Sequence, residues 1–144
     1  MKKVVLDTNV TISALFWEGN PRKIYDLVRE EKLIMLLSDE MEKEFIRVLG
    51  YEKFGLTPQE MMPFLRDLRS HARHVETKSK ISVVIADPTD NIFLECALDG
   101  GADFIISGDR HLLDIKVYKD IQIVRAGEFL LPHSLPPLTS ERDP

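Results

Sequence analysis

Short apolar runs rich in branched aliphatic residues, each separated from the next by a stretch with helical spacing, constrain this chain more than any other feature. Lys3 to Leu6 reads as a buried strand, Leu33 to Leu37 as a second, Asp103 to Ser107 as the clearest later one, and Ile121 to Val124 as the last. Between them lie amphipathic stretches with start and stop signals. Thr8 or Asn9 can cap a helix carrying Ile12, Leu15 and Phe16, and Gly19-Asn20-Pro21 ends it and opens another through Ile24, Leu27 and Val28. Ser38 caps a helix over Glu40–Leu49, and Thr57-Pro58-Gln59-Glu60 is a capping box for a helix from Pro58 to about Arg73, with Pro63 inside its first two turns. Thr89 or Asp90 opens a helix closed by Gly100-Gly101, and a short one follows around Gly127 to Leu131. Val75 and Ser82–Ile85 offer short extended segments. Strands alternating with helices predict an α/β fold, a three-layer α/β/α sandwich around a central, mainly parallel sheet. One domain over residues 1–131 is expected. Residues 132–144 hold four of the eight prolines and read as a Pro-rich C-terminal tail.

Four acids sit where such a sheet places its ligands. Asp7 follows the first strand in Val4-Val5-Leu6-Asp7-Thr8-Asn9, and Asp109 follows a later one in Ile105-Ile106-Ser107-Gly108-Asp109. Glu44 lies on the helix after the second strand, on the side of Met41, Phe45 and Val48, and Asp90 enters the helix containing Cys96 and Ala97. Open α/β sheets form their sites outside the carboxyl ends of the strands. Carboxylates gathered there repel one another and lose hydration, so a proton, a cation or distance must reconcile them. Hard oxygen ligands suit Mg²⁺ or Mn²⁺, and such a site points to phosphate chemistry. Asp87 competes with Asp90 but precedes Pro88 as a turn residue, leaving it an auxiliary role. Asp103 competes with Asp109 but begins its strand, at the opposite edge.

The string Val5-Leu6-Asp7-Thr8-Asn9-Val10, Glu44 before Val48-Leu49, the Asp90–Ala97 segment and Ile106-Ser107-Gly108-Asp109 together resemble the PIN-domain nucleases, above all the VapC-like toxins of toxin–antitoxin pairs. The resemblance spans about Lys2 to Leu131. It implies that Asp7, Glu44, Asp90 and Asp109 are catalytic, that Asp7, Asp90 and Asp109 bind metal, and that Mg²⁺ or Mn²⁺ is the cofactor. It also implies hydrolysis of single-stranded RNA to a 5′-phosphate and a 3′-hydroxyl, an antitoxin partner and a homodimer. Asn9 and Ser107 match polar positions flanking the acids, and Arg110, next to Asp109, is placed to touch substrate. Two alternatives keep the same fold: a non-catalytic RNA- or protein-binding module, and a nuclease for DNA or structured RNA. A phosphatase using Asp7 as nucleophile is disfavoured, because Asn9 stands where that chemistry wants a second acid.

Bulk properties narrow the field further. A net charge of −5 excludes nucleic-acid binding through overall basicity, though an acidic metal site reverses its own charge locally once loaded. The one cysteine, Cys96, rules out an internal disulfide framework and reads as a buried helix residue. No apolar run reaches the ~18 residues a bilayer span needs, and Met1-Lys2-Lys3 runs straight into the first strand, so a cytoplasmic protein without a signal peptide is expected. His71 and His74, with Arg66, Arg69, Arg73, Lys78 and Lys80, read as a solvated helix end more readily than as an RNA-guiding ridge. Trp17, Phe16 and Tyr25 read as packing residues before base-stacking ones.

Overall fold

The computed structural model describes residues 1–51, 53–84 and 86–131. The tail at 132–144 and the end of the Ser82–Ile85 segment lie outside the described residues. Six strands form one sheet in the order β3-β2-β1-β4-β6-β5. They are β1 (Lys3–Leu6), β2 (Ile34–Ser38), β3 (Ala72–Val75), β4 (Phe104–Ile106), β5 (Val117–Tyr118) and β6 (Ile121–Val124). Every pairing is parallel except β5 with β6, a two-residue antiparallel edge. The central strands are buried throughout or nearly so, which is why they read as unbroken apolar runs rather than alternating ones.

The helices are α1 (Thr8–Phe16), α2 (Asn20–Arg29), α3 (Asp39–Leu49), α4 (Pro58–His71), α5 (Asn91–Gly100), α6 (Arg110–Leu113) and α7 (Ala126–Phe129). From β1 the chain winds outward through β2 to β3. It then returns through α5 to β4 on the other side of β1. Crossovers of one hand therefore put α5 on the face opposite α1 and α2, which gives the three-layer α/β/α sandwich the alternation predicts. The winding direction reverses between β1 and β4. Their register, Val4 opposite Phe104 and Leu6 opposite Ile106, sets Asp7 and Ser107 side by side at the carboxyl edge.

Local signals explain most boundaries. Ser38 accepts from the Met41 N–H as the cap of α3, and Thr57 and Glu60 exchange the reciprocal bonds of a capping box. Gly101 closes α5 in the left-handed conformation (φ 70°), which glycine adopts without a side-chain penalty. Four details differ from the sequence reading. Asp7 itself, not Thr8 or Asn9, caps α1, because its Oδ1 accepts the Val10 N–H at 2.8 Å. A turn of 3₁₀-helix over Pro88–Asp90 precedes α5, so the helix proper begins at Asn91. Helix α4 stops at His71, because the chain from Ala72 pairs with β2 as a strand. Ser82 to Val84 is not a strand. Instead the Asn91 side chain binds both the N–H and the C=O of Val84.

Candidate acidic metal site

The carboxyl edge of β1 and β4 opens into a pocket of ≈ 390 Å³ lined by Asp7, Thr8, Asn9, Glu44, Arg47, Val48, Asp87, Thr89, Asp90, Phe93 and Asp109. All four sequence-predicted acids reach it, although they come from four distant stretches of chain. Asp7 arrives at the end of β1, Glu44 on α3, Asp90 at the mouth of α5, and Asp109 on the turn from β4 into α6.

Asp7 is 4 % exposed and fully engaged. Its Oδ1 holds the cap of α1, and its Oδ2 accepts from the Ser107 hydroxyl, while Ser107 Oγ in turn accepts the Asp109 N–H at 2.9 Å. Ser107 thus ties the two strand ends together. Burial pushes the Asp7 carboxyl above its ordinary range, against the two hydrogen bonds and with the charge of Asp109.

Asp87, Asp90 and Asp109 each offer an oxygen within 4.8 Å of the others. Asp90 is buried in this group, and its pKa is pushed up to about 8 by burial first and then by Asp109, Asp87 and Asp7. Its Oδ2 and the Thr8 hydroxyl are buried oxygens without a hydrogen-bond partner among the described residues. Buried polar atoms are seldom left unpaired. Two in one pocket, beside three converging carboxylates, are the pattern a divalent cation and its waters would satisfy. The residues therefore fit Mg²⁺ or Mn²⁺. Asp87, treated from sequence as an auxiliary, belongs to this converging group, whereas Asp7, expected from sequence to bind metal, lines the same pocket outside it. Asp87 Oδ1 also accepts from the Thr89 hydroxyl.

Glu44 behaves differently. Its side chain is 18 % exposed and held by Arg47, with Nε at 2.9 Å from Oε1 and Nη2 at 2.6 Å from Oε2. Sequence reasoning missed Arg47, although a cation three residues after a helical acid is a visible pairing signal. Asn9 lines the pocket and Ser107 supports it, whereas Arg110 stands outside its lining as the exposed first residue of α6. Three basic residues of α4 and β3 answer to nearby acids: Arg69 binds Glu42, His71 lies 3.6 Å from Asp67, and His74 on β3 lies 3.8 Å from Asp39. Tyr25 is buried in the core, where its hydroxyl donates to Asp67. Phe16 packs against Phe64 and Phe54, and Trp17 remains half exposed. Cys96 is wholly buried, and burial pushes its thiol up to about 12, as an inert packing residue requires.

A doubly wound, mainly parallel sheet forms its ligand site at the switch point, and here that is where the acids converge. Residues 3–111 match the family model of the PIN domain, and the chain belongs to that family of nucleases. It is 34 % identical over 124 residues to an uncharacterized protein of Methanocaldococcus jannaschii, an alignment covering 79 % of this chain and 75 % of the relative. Its fold is similar to a chain in the crystal structure of VapBC2 from Rickettsia felis bound to a DNA fragment from their promoter. That match has a TM-score of 0.58 and 12 % identity, and it covers 84 % of this chain and 96 % of the other.

Proposed function

We propose that this protein is a Mg²⁺- or Mn²⁺-dependent endoribonuclease that hydrolyses single-stranded RNA, and the toxin of a toxin–antitoxin pair. The observation that carries the nuclease reading is the meeting of Asp87, Asp90 and Asp109 within 4.8 Å, with an unpartnered oxygen on Asp90 and Asp7 in the same pocket. Asp90 and Asp109 would hold the ion, with Asp7 and Asp87 beside them. The chemistry such an ion supplies is a lowered pKa for water and neutralisation of phosphate oxygens. Asp7, fixed by Ser107 and the cap of α1, presents its charge from one invariant position. Glu44 and Asn9 line the approach and orient the attacking water. In the reaction the water oxygen forms the new bond to phosphorus, the bond from phosphorus to the 3′-oxygen breaks, and that oxygen leaves with a proton.

The VapC-like motifs and a fold shared with a chain of the VapBC2 complex support an antitoxin partner, while the homodimer and the 1–131 nuclease domain are proposed from the VapC-like motifs alone. A cytoplasmic location is proposed from the sequence, and no helix among the described residues is long and apolar enough to cross a membrane. The test is incubation of purified protein with labelled single-stranded RNA and Mg²⁺ or Mn²⁺, beside EDTA and Asp7→Asn. Metal-dependent cleavage that Asp7→Asn abolishes is expected. Cleavage that persists in EDTA, or in Asp7→Asn, would sink the assignment.

A further inference from the structure

We infer that Arg47 is the phosphate-binding residue of this site and that the Tyr51 ring beneath it is the platform on which a base of the same strand stacks. The inference rests on the nuclease reading and goes beyond it, because neither residue belongs to the acidic set that defines the chemistry.

Charge is the starting point. The pocket lining carries five carboxylates, Asp7, Glu44, Asp87, Asp90 and Asp109, and among the described residues a single cation, Arg47. A nucleic-acid strand approaching that lining meets repulsion except where a cation faces it. A loaded metal relieves the repulsion at the scissile phosphate, but the neighbouring phosphate needs a contact from the protein itself.

The geometry of Arg47 suits that contact. Its guanidinium has five N–H donors in a rigid plane, and the bonds to Glu44 use Nε and Nη2. Among the described residues Nη1 makes no hydrogen bond, and the side chain is 48 % exposed. The two bonds to Glu44 hold the plane still, so the remaining edge is already oriented. A phosphate docking there meets a preorganised fork and not a mobile chain. Lysine in the same place would bring a point charge without that second edge.

The central carbon of the same guanidinium lies over the Tyr51 ring, 4.7 Å from its centroid. Tyr51 is 48 % exposed, one helical turn beyond Arg47 and just past the end of α3. An exposed aromatic ring beside a phosphate-binding cation is the pairing by which proteins hold unstacked single strands, base on ring and backbone on cation. Further along the chain, Lys53 Nζ sits 5.6 Å from the Phe54 ring, and Phe54 packs on half-exposed Trp17. A duplex, whose bases are already stacked on each other, gains nothing from Tyr51. The pair therefore selects single-stranded substrate.

The experiment compares wild type with Arg47→Ala, Arg47→Lys, Tyr51→Leu and Tyr51→Phe on a labelled mixed-sequence single-stranded RNA. It measures KM, kcat, the salt dependence of binding, and Mn²⁺ affinity by calorimetry. Arg47→Ala is expected to raise KM about tenfold and to reduce the log–log salt slope by about 0.7, the loss of one phosphate contact on a single strand, while kcat reads separately the release of Glu44. Arg47→Lys should restore the slope but only part of the KM. Tyr51→Leu should weaken binding by about tenfold without changing the slope, and Tyr51→Phe should bind as wild type, because stacking needs the ring and not the hydroxyl. Arg47→Ala with wild-type KM and slope overturns the inference, and so does a variant whose only change is a lower kcat or a shifted Mn²⁺ affinity, which would make Arg47 a holder of Glu44 alone. Either result leaves the nuclease reading standing if wild type cleaves. A wild type that neither binds nor cuts the RNA overturns both.

Discussion

Asp90 carries a buried oxygen without a partner among the described residues and a carboxyl pushed up to about 8, so in the metal-free protein burial and the neighbouring Asp109, Asp87 and Asp7 resist its ionisation. Removing the charge should help the fold and harm the function. Asp90→Asn is expected to stabilise the EDTA-treated protein at pH 8 by on the order of a few kcal/mol. It should also abolish the rise in melting temperature that Mn²⁺ gives wild type. Thermal unfolding with and without Mn²⁺ checks both halves, and a variant that still gains stability from Mn²⁺ would remove Asp90 from the ligand set. Ser107 acts through its neighbours. Its hydroxyl donates to Asp7 and accepts from the Asp109 N–H, so Ser107→Ala releases both strand ends and leaves Asp7 higher still. Losing an outer partner of this kind should lower activity by about 10–100-fold, read as kcat/KM on RNA under saturating Mn²⁺. That Asp7 and Asp109 stand at the carboxyl edge of the sheet was legible beforehand, because each follows an apolar run that reads as a buried strand. Asp87 was harder to read. Its turn position before Pro88 describes the backbone well and says nothing of the carboxylates it meets across the pocket.

At the scale of elements, capping decides where the helices begin, and the helices decide where the acids point. The Thr57–Glu60 capping box makes α4 nearly independent of the site, so Thr57→Ala should cost about 1 kcal/mol in denaturant unfolding while RNA cleavage stays unchanged. An unaltered midpoint would mean that packing of Met61, Leu65 and Leu68 alone holds the helix. Strand β4 is the opposite case. It is three buried residues between β1 and β6, and Ile105→Ala should cost about 2–5 kcal/mol because neighbours on two strands and α5 cannot close the cavity. The start of α1 was misread by one residue for an instructive reason. Asp, Thr and Asn are all good caps, and tertiary structure chose Asp7, whose other oxygen is needed by Ser107. The antiparallel β5 was invisible because two residues carry no periodicity.

For the whole molecule, the acid cluster links stability to pH and to metal. The folded pKa of Asp90 lies at about 8, while an unfolded aspartate titrates near ~4. Between those values the native state binds more protons than the unfolded one, so the stability of metal-free protein falls as pH rises from ~4 through about 8. Melting curves in EDTA at pH 5 and pH 8 should show that fall. Saturating Mn²⁺ should remove it, and Asp90→Asn should lack it. A metal-free wild type equally stable at both values would mean the carboxylates are further apart in solution. The sequence alone determined the class of fold and the carboxylates to watch, because burial on both faces writes a parallel strand as an apolar run and the acids at its end stand out against it. It could not determine which acids meet. Asp7 and Asp109 converge because β4 returns to pair with β1, and Asp87 and Asp90 join them because α5 crosses back over the sheet. The Arg47–Glu44 pairing, by contrast, is local and was readable from its i,i+3 spacing. Distances across a pocket depend on how distant elements pack, and local sequence does not encode that.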